Sequence, residues 1–280
     1  MWQKIIKSNK GYIMQKIFSF LLIVVFISAC SDGGNNAEIP QTDNTSGNTS
    51  IPINNIAIPD NRYANNYQVL LFGNSHVIGL SSLLKRLISA GSPFATITIK
   101  NAGGGFLDDS SSKQRRIELL ESELWTHVIL QGQKYSQSGA KTYPINAALA
   151  WIDKAKSHNT TPILFPEHPQ KGKTQEGSRV HLIHTGIAEL QKACVAPVGL
   201  AWDRVIMTYP QIVLHTDDGN HASLTGQLLS AFIFYEVITG EAADLLPFDS
   251  NIDVDEATQQ ILRQMASETI KTHPPCIFEK

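Results

Sequence analysis

Three cysteines in 280 residues are too few for a disulfide-stapled scaffold or a four-cysteine zinc module. A surplus of charge is missing as well. The chain carries 23 Lys and Arg against 25 Asp and Glu, net −2, and this gives no broad electrostatic reason to bind nucleic acid. A bilayer-spanning helix needs about 20 apolar residues, and the run from Ile17 to Ala29 has thirteen. No P-loop is present. The stretch Gly103-Gly104-Gly105-Phe106-Leu107-Asp108 lacks the third glycine of a dinucleotide-binding GxGxxG, and no acidic ribose partner follows it. Internal repeats are absent too.

What is there divides the chain into three. Lys4, Lys7, Lys10 and Lys16 precede the apolar run, giving the basic start and short hydrophobic stretch of a signal peptide over residues 1–29. A start at Met14 would give a signal of more usual proportions. The run ends in Ile27-Ser28-Ala29-Cys30, which resembles the lipobox of bacterial lipoproteins. That resemblance implies that Cys30 is lipidated, becomes the mature N-terminus and anchors the chain to a membrane of the cell envelope. A plain cleaved signal or an N-terminal membrane anchor is the alternative. Ser31 implies the outer membrane, facing periplasm or surface, while Asp32 pulls against it. Without residues 1–29 the chain holds 19 basic and 25 acidic residues, net −6. Residues 30–65, rich in Asn, Asp, Gly, Ser, Thr and Pro without periodicity, read as a tether that cannot bury enough apolar surface to offset ordering.

Residues 66–280 alternate strand-like and helix-like patterns. Strands are expected over 67–72, 94–99, 126–130, 161–165 and 198–202, with helices over 77–89, 117–124, 145–155, 180–193 and 222–239. Strands spaced by helices imply an α/β fold: a three-layer α/β/α sandwich around a central, mostly parallel, flavodoxin-like sheet of about five strands. In such sheets chemistry gathers at the carboxyl ends of the strands.

Four segments follow those ends or precede the last helix. They are Gly73-Asn74-Ser75-His76, Asn101-Ala102-Gly103-Gly104-Gly105, Gln131-Gly132-Gln133, and Asp217-Asp218-Gly219-Asn220-His221. In order and spacing, across about residues 67–240, they resemble the signature blocks of the SGNH (GDSL-like) hydrolases. Phe232 to Gly240 also resembles the final helix of many members.

The residues themselves support that chemistry. Ser75 on a tight strand-to-helix turn would expose its Oγ and point its backbone N–H at an oxyanion, with a helix N-terminus favouring the charge. The other reading makes Ser75 a helix cap. Asp218, three residues before His221, can reach imidazole Nδ1 and leave Nε2 to take the serine proton. Asp217 is the neighbouring rival, and the DxxH spacing of the family favours Asp218. The glycines let backbone approach a ligand, so the N–H of Gly104, or alternatively Gly105, is the expected second oxyanion donor. In the third block most members place an Asn in Gly-x-Asn-Asp. This chain offers glutamines, with Gln133 the expected third donor and Gln131 the alternative.

His181 and His184 lie three apart on a helix, but no third ligand is convincingly placed, so no metal is expected. The resemblance implies no cofactor either. Residues 166–179 read as a loop over the site that sets substrate preference. Cys194 and Cys276 could pair in an oxidising periplasm, and the free state is favoured. The implied activity is hydrolysis of an oxygen ester through an acyl-enzyme on Ser75, acting on a small-molecule or carbohydrate ester such as acetyl groups on polysaccharide. The expected form is a monomer without nucleic-acid partners. The alternatives are a non-catalytic surface binding module and an acyltransferase.

Overall fold

A computed structural model describes residues 55–279. The expectations for the signal peptide, Met14 and Cys30 fall outside them. Five parallel strands, β1 (Asn66–Gly73), β2 (Thr96–Gly104), β3 (His127–Gln131), β4 (Thr161–Phe165) and β5 (Cys194–Val195), form one sheet in the order β2-β1-β3-β4-β5. Seven α-helices lie among the described residues: α1 (Leu80–Gly91), α2 (Ser110–Ser122), α3 (Asn146–Ser157), α4 (Glu176–Leu190), α5 (Val198–Thr208), α6 (Leu224–Thr239) and α7 (Glu256–Thr272).

The apolar runs of β1, β3 and β4 are buried on both faces, as a parallel sheet between helices demands. Alternation divides them between two cores. Val69, Leu71, Ile129, Ile163 and Phe165 meet α1, α5, α6 and α7, while Leu70, Phe72, Val128, Leu130 and Leu164 meet α2 and α3. Helix α6 is apolar all round because other helices cover it, and Gly240, at φ 77°, ends it in the left-handed cap that glycine accepts without strain.

Several sequence expectations are corrected. Val198–Trp202 is the start of α5, not a strand. Pro197 precedes it, and the buried Val198, Ala201, Trp202 and Val205 recur at helical spacing. The fifth strand is instead the pair Cys194–Val195. Helix α7 carried no expectation. Strand β2 begins at Thr96, and Phe94 is exposed. The segment at 56–63, expected to belong to the tether, is docked. Ile58 is buried, and Asn61 Nδ2 donates to Thr126 O, Asn159 O and Thr161 Oγ1 at 2.9–3.0 Å. Cys194 and Cys276 are joined in a disulfide across 82 residues, which ties β5 to the C-terminal segment. A loop of that length is worth about 2–5 kcal/mol.

Candidate active site

The chain passes from β1 to β2 on one side and then to β3 on the other. The carboxyl ends of β1, β2 and β3 therefore meet at the switch point of the sheet. Gly73 at the end of β1 pairs with Gly104 at the end of β2. A Cβ on Gly73 would lie 2.3 Å from Gln131 Oε1, so a side chain there would drive the Asn74–Ser75 turn off the end of β3.

Ser75 opens a 3-10 turn, Ser75–Val77, capped by the Asn74 side chain, which accepts from His76 N at 3.0 Å. The expected helix N-terminus is not at Ser75. Gly79, at φ 80°, breaks the chain, and α1 starts only at Leu80. The serine is exposed, its Oγ 2.8 Å from His221 Nε2. His221 Nδ1 lies 2.5 Å from Asp218 Oδ2. The other carboxylate oxygen, Oδ1, accepts from His221 N, Asn220 N and Thr216 Oγ1 at 2.7–2.9 Å. The His221 backbone and side chain are the main groups holding the Asp218 carboxyl well below the usual carboxylate range, so it stays an acceptor for imidazole N–H. The structure thus joins Ser75, His221 and Asp218 in one hydrogen-bonded line, and Asp217 takes no part in it.

Behind that line lies a buried group of rings. His76 stacks on His221 with centroids 5.3 Å apart, and His168 stacks on Trp202 at 3.9 Å. Burial holds His76 to about 4 and His168 to about 3, so both are neutral near pH 7. His168 Nε2–H donates to Asn220 O at 3.0 Å. Residues 166–175 pack on the histidine loop, with Lys171 N donating to Gly219 O at 2.8 Å and Gln170 Nε2 to Asn220 Oδ1 at 2.9 Å. The loop expected to run to 179 ends at Gln175, where α4 takes over.

The glutamine block departs from expectation. Gln133 is buried, and its amide nitrogen donates to Lys134 O at 2.9 Å and Pro144 O at 3.1 Å. Both amide hydrogens are thus used inside the β3–α3 loop, and none is left for an oxyanion. Gln131 is also committed. Its Oε1 accepts from Asn74 N at 2.7 Å and its Nε2 donates to Glu167 Oε1. Glu167 is pushed up to about 7, chiefly by burial, and its Oε2 comes within 3.8 Å of His76 Nε2. With His76 neutral, that approach is not an ion pair at neutral pH.

Sequence reasoning missed Arg116. It is fully buried on α2, one turn before Leu120, and it donates to the backbone carbonyls of the glycine segment. Its only sequence signal is that i, i+4 spacing to an apolar residue, which places a charge on the inward face. Among the described residues no three His, Cys, Asp or Glu side chains are grouped to hold a metal ion.

No family model and no curated protein matches the chain. Solved structures do. A DUF4886 family protein from Bacteroides uniformis is similar with TM-score 0.57 and 15% identity over 76% of this chain and 98% of that one. A candidate SGNH hydrolase from Slackia heliotrinireducens aligns with TM-score 0.48 and 18% identity over 61% of this chain and 98% of that one. For an acetyl xylan esterase from Geobacillus stearothermophilus the values are 0.49 and 16%, over 62% and 97%. The five-stranded parallel α/β fold is shared with the DUF4886 family protein. On this sheet the serine follows β1 and the Asp-His pair precedes α6, in the same order as the blocks read from the sequence.

Proposed function

We propose that the protein is a serine esterase that hydrolyses an oxygen ester through an acyl-enzyme on Ser75. The observation that carries this reading is the hydrogen-bonded line from Ser75 Oγ through His221 to Asp218. His221 Nε2 takes the hydroxyl proton as Oγ attacks the ester carbonyl, and gives it to the departing alcohol as the tetrahedral intermediate collapses. Water then repeats the sequence in reverse on the acyl-serine. Asp218 holds the tautomer and faces the imidazolium that forms. The oxyanion is met by the backbone amides of Ser75 and Gly104, with Gly105 the alternative to Gly104. Gln131 serves as a strut under the nucleophile loop.

The line is open to solvent, with 40% of the His221 side chain and 50% of the Asp218 side chain exposed. Such a shallow site suits a small acyl group on a bulky alcohol, which favours acetyl groups on carbohydrate. The Cys194–Cys276 disulfide favours an oxidising compartment and thereby supports anchoring through lipid on Cys30 in the cell envelope.

The test is turnover of p-nitrophenyl acetate together with acetate release from acetylated oligosaccharides. Both are expected of the wild type and neither of Ser75→Ala. A folded wild-type protein that releases no acetate from either would support the binding-module alternative. For the anchor, Cys30→Ala is expected to lose labelled-palmitate incorporation and membrane association, and an unchanged membrane fraction would refute it.

A further inference from the structure

Segment 103–106 has an unusual backing. Its three glycines adopt φ of 63°, 95° and 63°, a left-handed run that side chains resist. A guanidinium with no exposed surface sits behind them. Arg116 Nη2 donates to the carbonyls of Gly103 (3.0 Å), Gly104 (2.5 Å) and Gly105 (3.2 Å), Nε to Gly103 again (3.3 Å), and Nη1 to Phe106 (2.9 Å). Ser112 Oγ adds a neutral donor to the Gly104 carbonyl at 3.1 Å. No carboxylate lies within ion-pair distance of Arg116 among the described residues. The face of the Phe72 ring, 5.2 Å from its Cζ, completes the surroundings. Four consecutive carbonyls therefore stand in for a counter-ion.

We propose that Arg116 is the positioning residue of the oxyanion loop, and this rests on the esterase reading above. In a planar trans peptide the N–H points opposite to the C=O of the same unit. Carbonyls of 103, 104 and 105 drawn toward Arg116 turn the amides of Gly104, Gly105 and Phe106 away from it. The ladder places Gly104 beside Gly73, two residues before the nucleophile. A cation on the carbonyl end of each unit also polarises it, which strengthens the N–H as a donor in a site of low dielectric. The arrangement is fixed before the substrate arrives, so it costs no reorganisation as charge develops on the ester oxygen. This explains how the loop can work with the Gln133 amide turned to the β3–α3 loop.

Arg116→Lys and Ser112→Ala test it on the full chain, with kcat, KM and the affinity of an arylboronic acid that forms a tetrahedral adduct on the serine. Lysine keeps the charge but cannot span four carbonyls. The expected result is a fall in kcat of about 10- to 100-fold, a matching loss of boronate affinity and KM within about threefold. Ser112→Ala is expected to show the same selective loss at about threefold, and it carries the test alone if Arg116→Lys does not fold. Unchanged kcat and boronate affinity in folded variants, or a change confined to KM or melting temperature, would overturn the proposal while leaving the triad intact. A wild type that neither turns over ester nor binds boronate would instead remove the esterase reading on which it rests.

Discussion

Segments 216–221 and 103–106 carry the two halves of the proposed site, one assigned to moving the proton and the other to meeting the oxyanion, yet they are held differently. The first is exposed, and its carboxylate is held by its own loop. Asp218 accepts from Thr216, Asn220 and His221, all within three residues, while His168, Gln170 and Lys171 brace Asn220 and Gly219 from outside. In the second, Asn101 Oδ1 holds the Gly103 amide, but the carbonyls are held from α2, by Ser112 and above all by Arg116, ten to thirteen residues away. A loop whose carboxylate is held by near neighbours can stay open to bulky substrate, whereas a run of left-handed glycines needs a buried scaffold.

The largest effect is expected at the junction of the two halves. Ser75→Ala and His221→Ala should each remove about 10³-fold or more of kcat, and the double variant little more, because either change disables the same proton transfer. Additive losses would break the unit assigned to the exposed half. Asp218→Asn comes next, with about 10²- to 10³-fold in kcat, since an amide can present a hydrogen to His221 Nδ1 and spoil its tautomer. Melting temperature should barely move, as the loop is solvent-exposed. A large drop would mean that this loop also holds the core.

Acid distinguishes the exposed loop from the buried histidines, two behind that loop and three elsewhere. His76, His168, His127, His181 and His184 are held between about 3 and 4, mainly by burial. In the unfolded chain each binds a proton below about 6.5. From there down to about 4 the unfolded state binds more protons, and stability falls as pH falls. Glu167 acts in the other direction. With a folded pKa raised to about 7, it binds a proton in the folded state that the unfolded chain lacks, and so gains stability as pH drops from about 7 to 4.5. Asp203, raised to about 6, and Glu236, also raised by burial, act in the same direction as Glu167, so five histidines against three carboxyls predict a net loss. Melting temperature measured from pH 7 to pH 4 should decline steadily, and a flat profile would contradict the burial of the rings.

The smallest catalytic effect belongs to Gln133→Ala. Its amide serves the β3–α3 loop, so melting temperature should fall, by about 1–3 kcal/mol of stability, with kcat within about threefold. A selective 10²-fold loss of kcat would return Gln133 to the oxyanion hole.

The same contrast explains what could be read from the chain. Asp218 and His221 were legible because motif and local geometry coincide, Asp at three residues before His being enough to close the contact, and Ser75 from its block after β1, although its contact with His221 spans 146 residues. The parallel sheet was legible from apolar runs long enough to be buried on both faces. Val198–Trp202 misled because five apolar residues fit strand and helix alike, and only the packing of α5 on its neighbours decides. Gln131 and Gln133 are chemically identical and two apart, so nothing local shows that one clamps Asn74 and the other Pro144. Arg116 and the disulfide depend on contacts across 10–13 and 82 residues, which no short window contains.

The central claim, that Ser75 is a nucleophile activated by His221, is tested most directly by intact-mass and peptide analysis after exposure to a fluorophosphonate. The account predicts one adduct per chain, on the peptide carrying Ser75, formed at least about 10²-fold more slowly in His221→Ala. A folded wild type that gains no adduct, or one labelled on another residue, would contradict it.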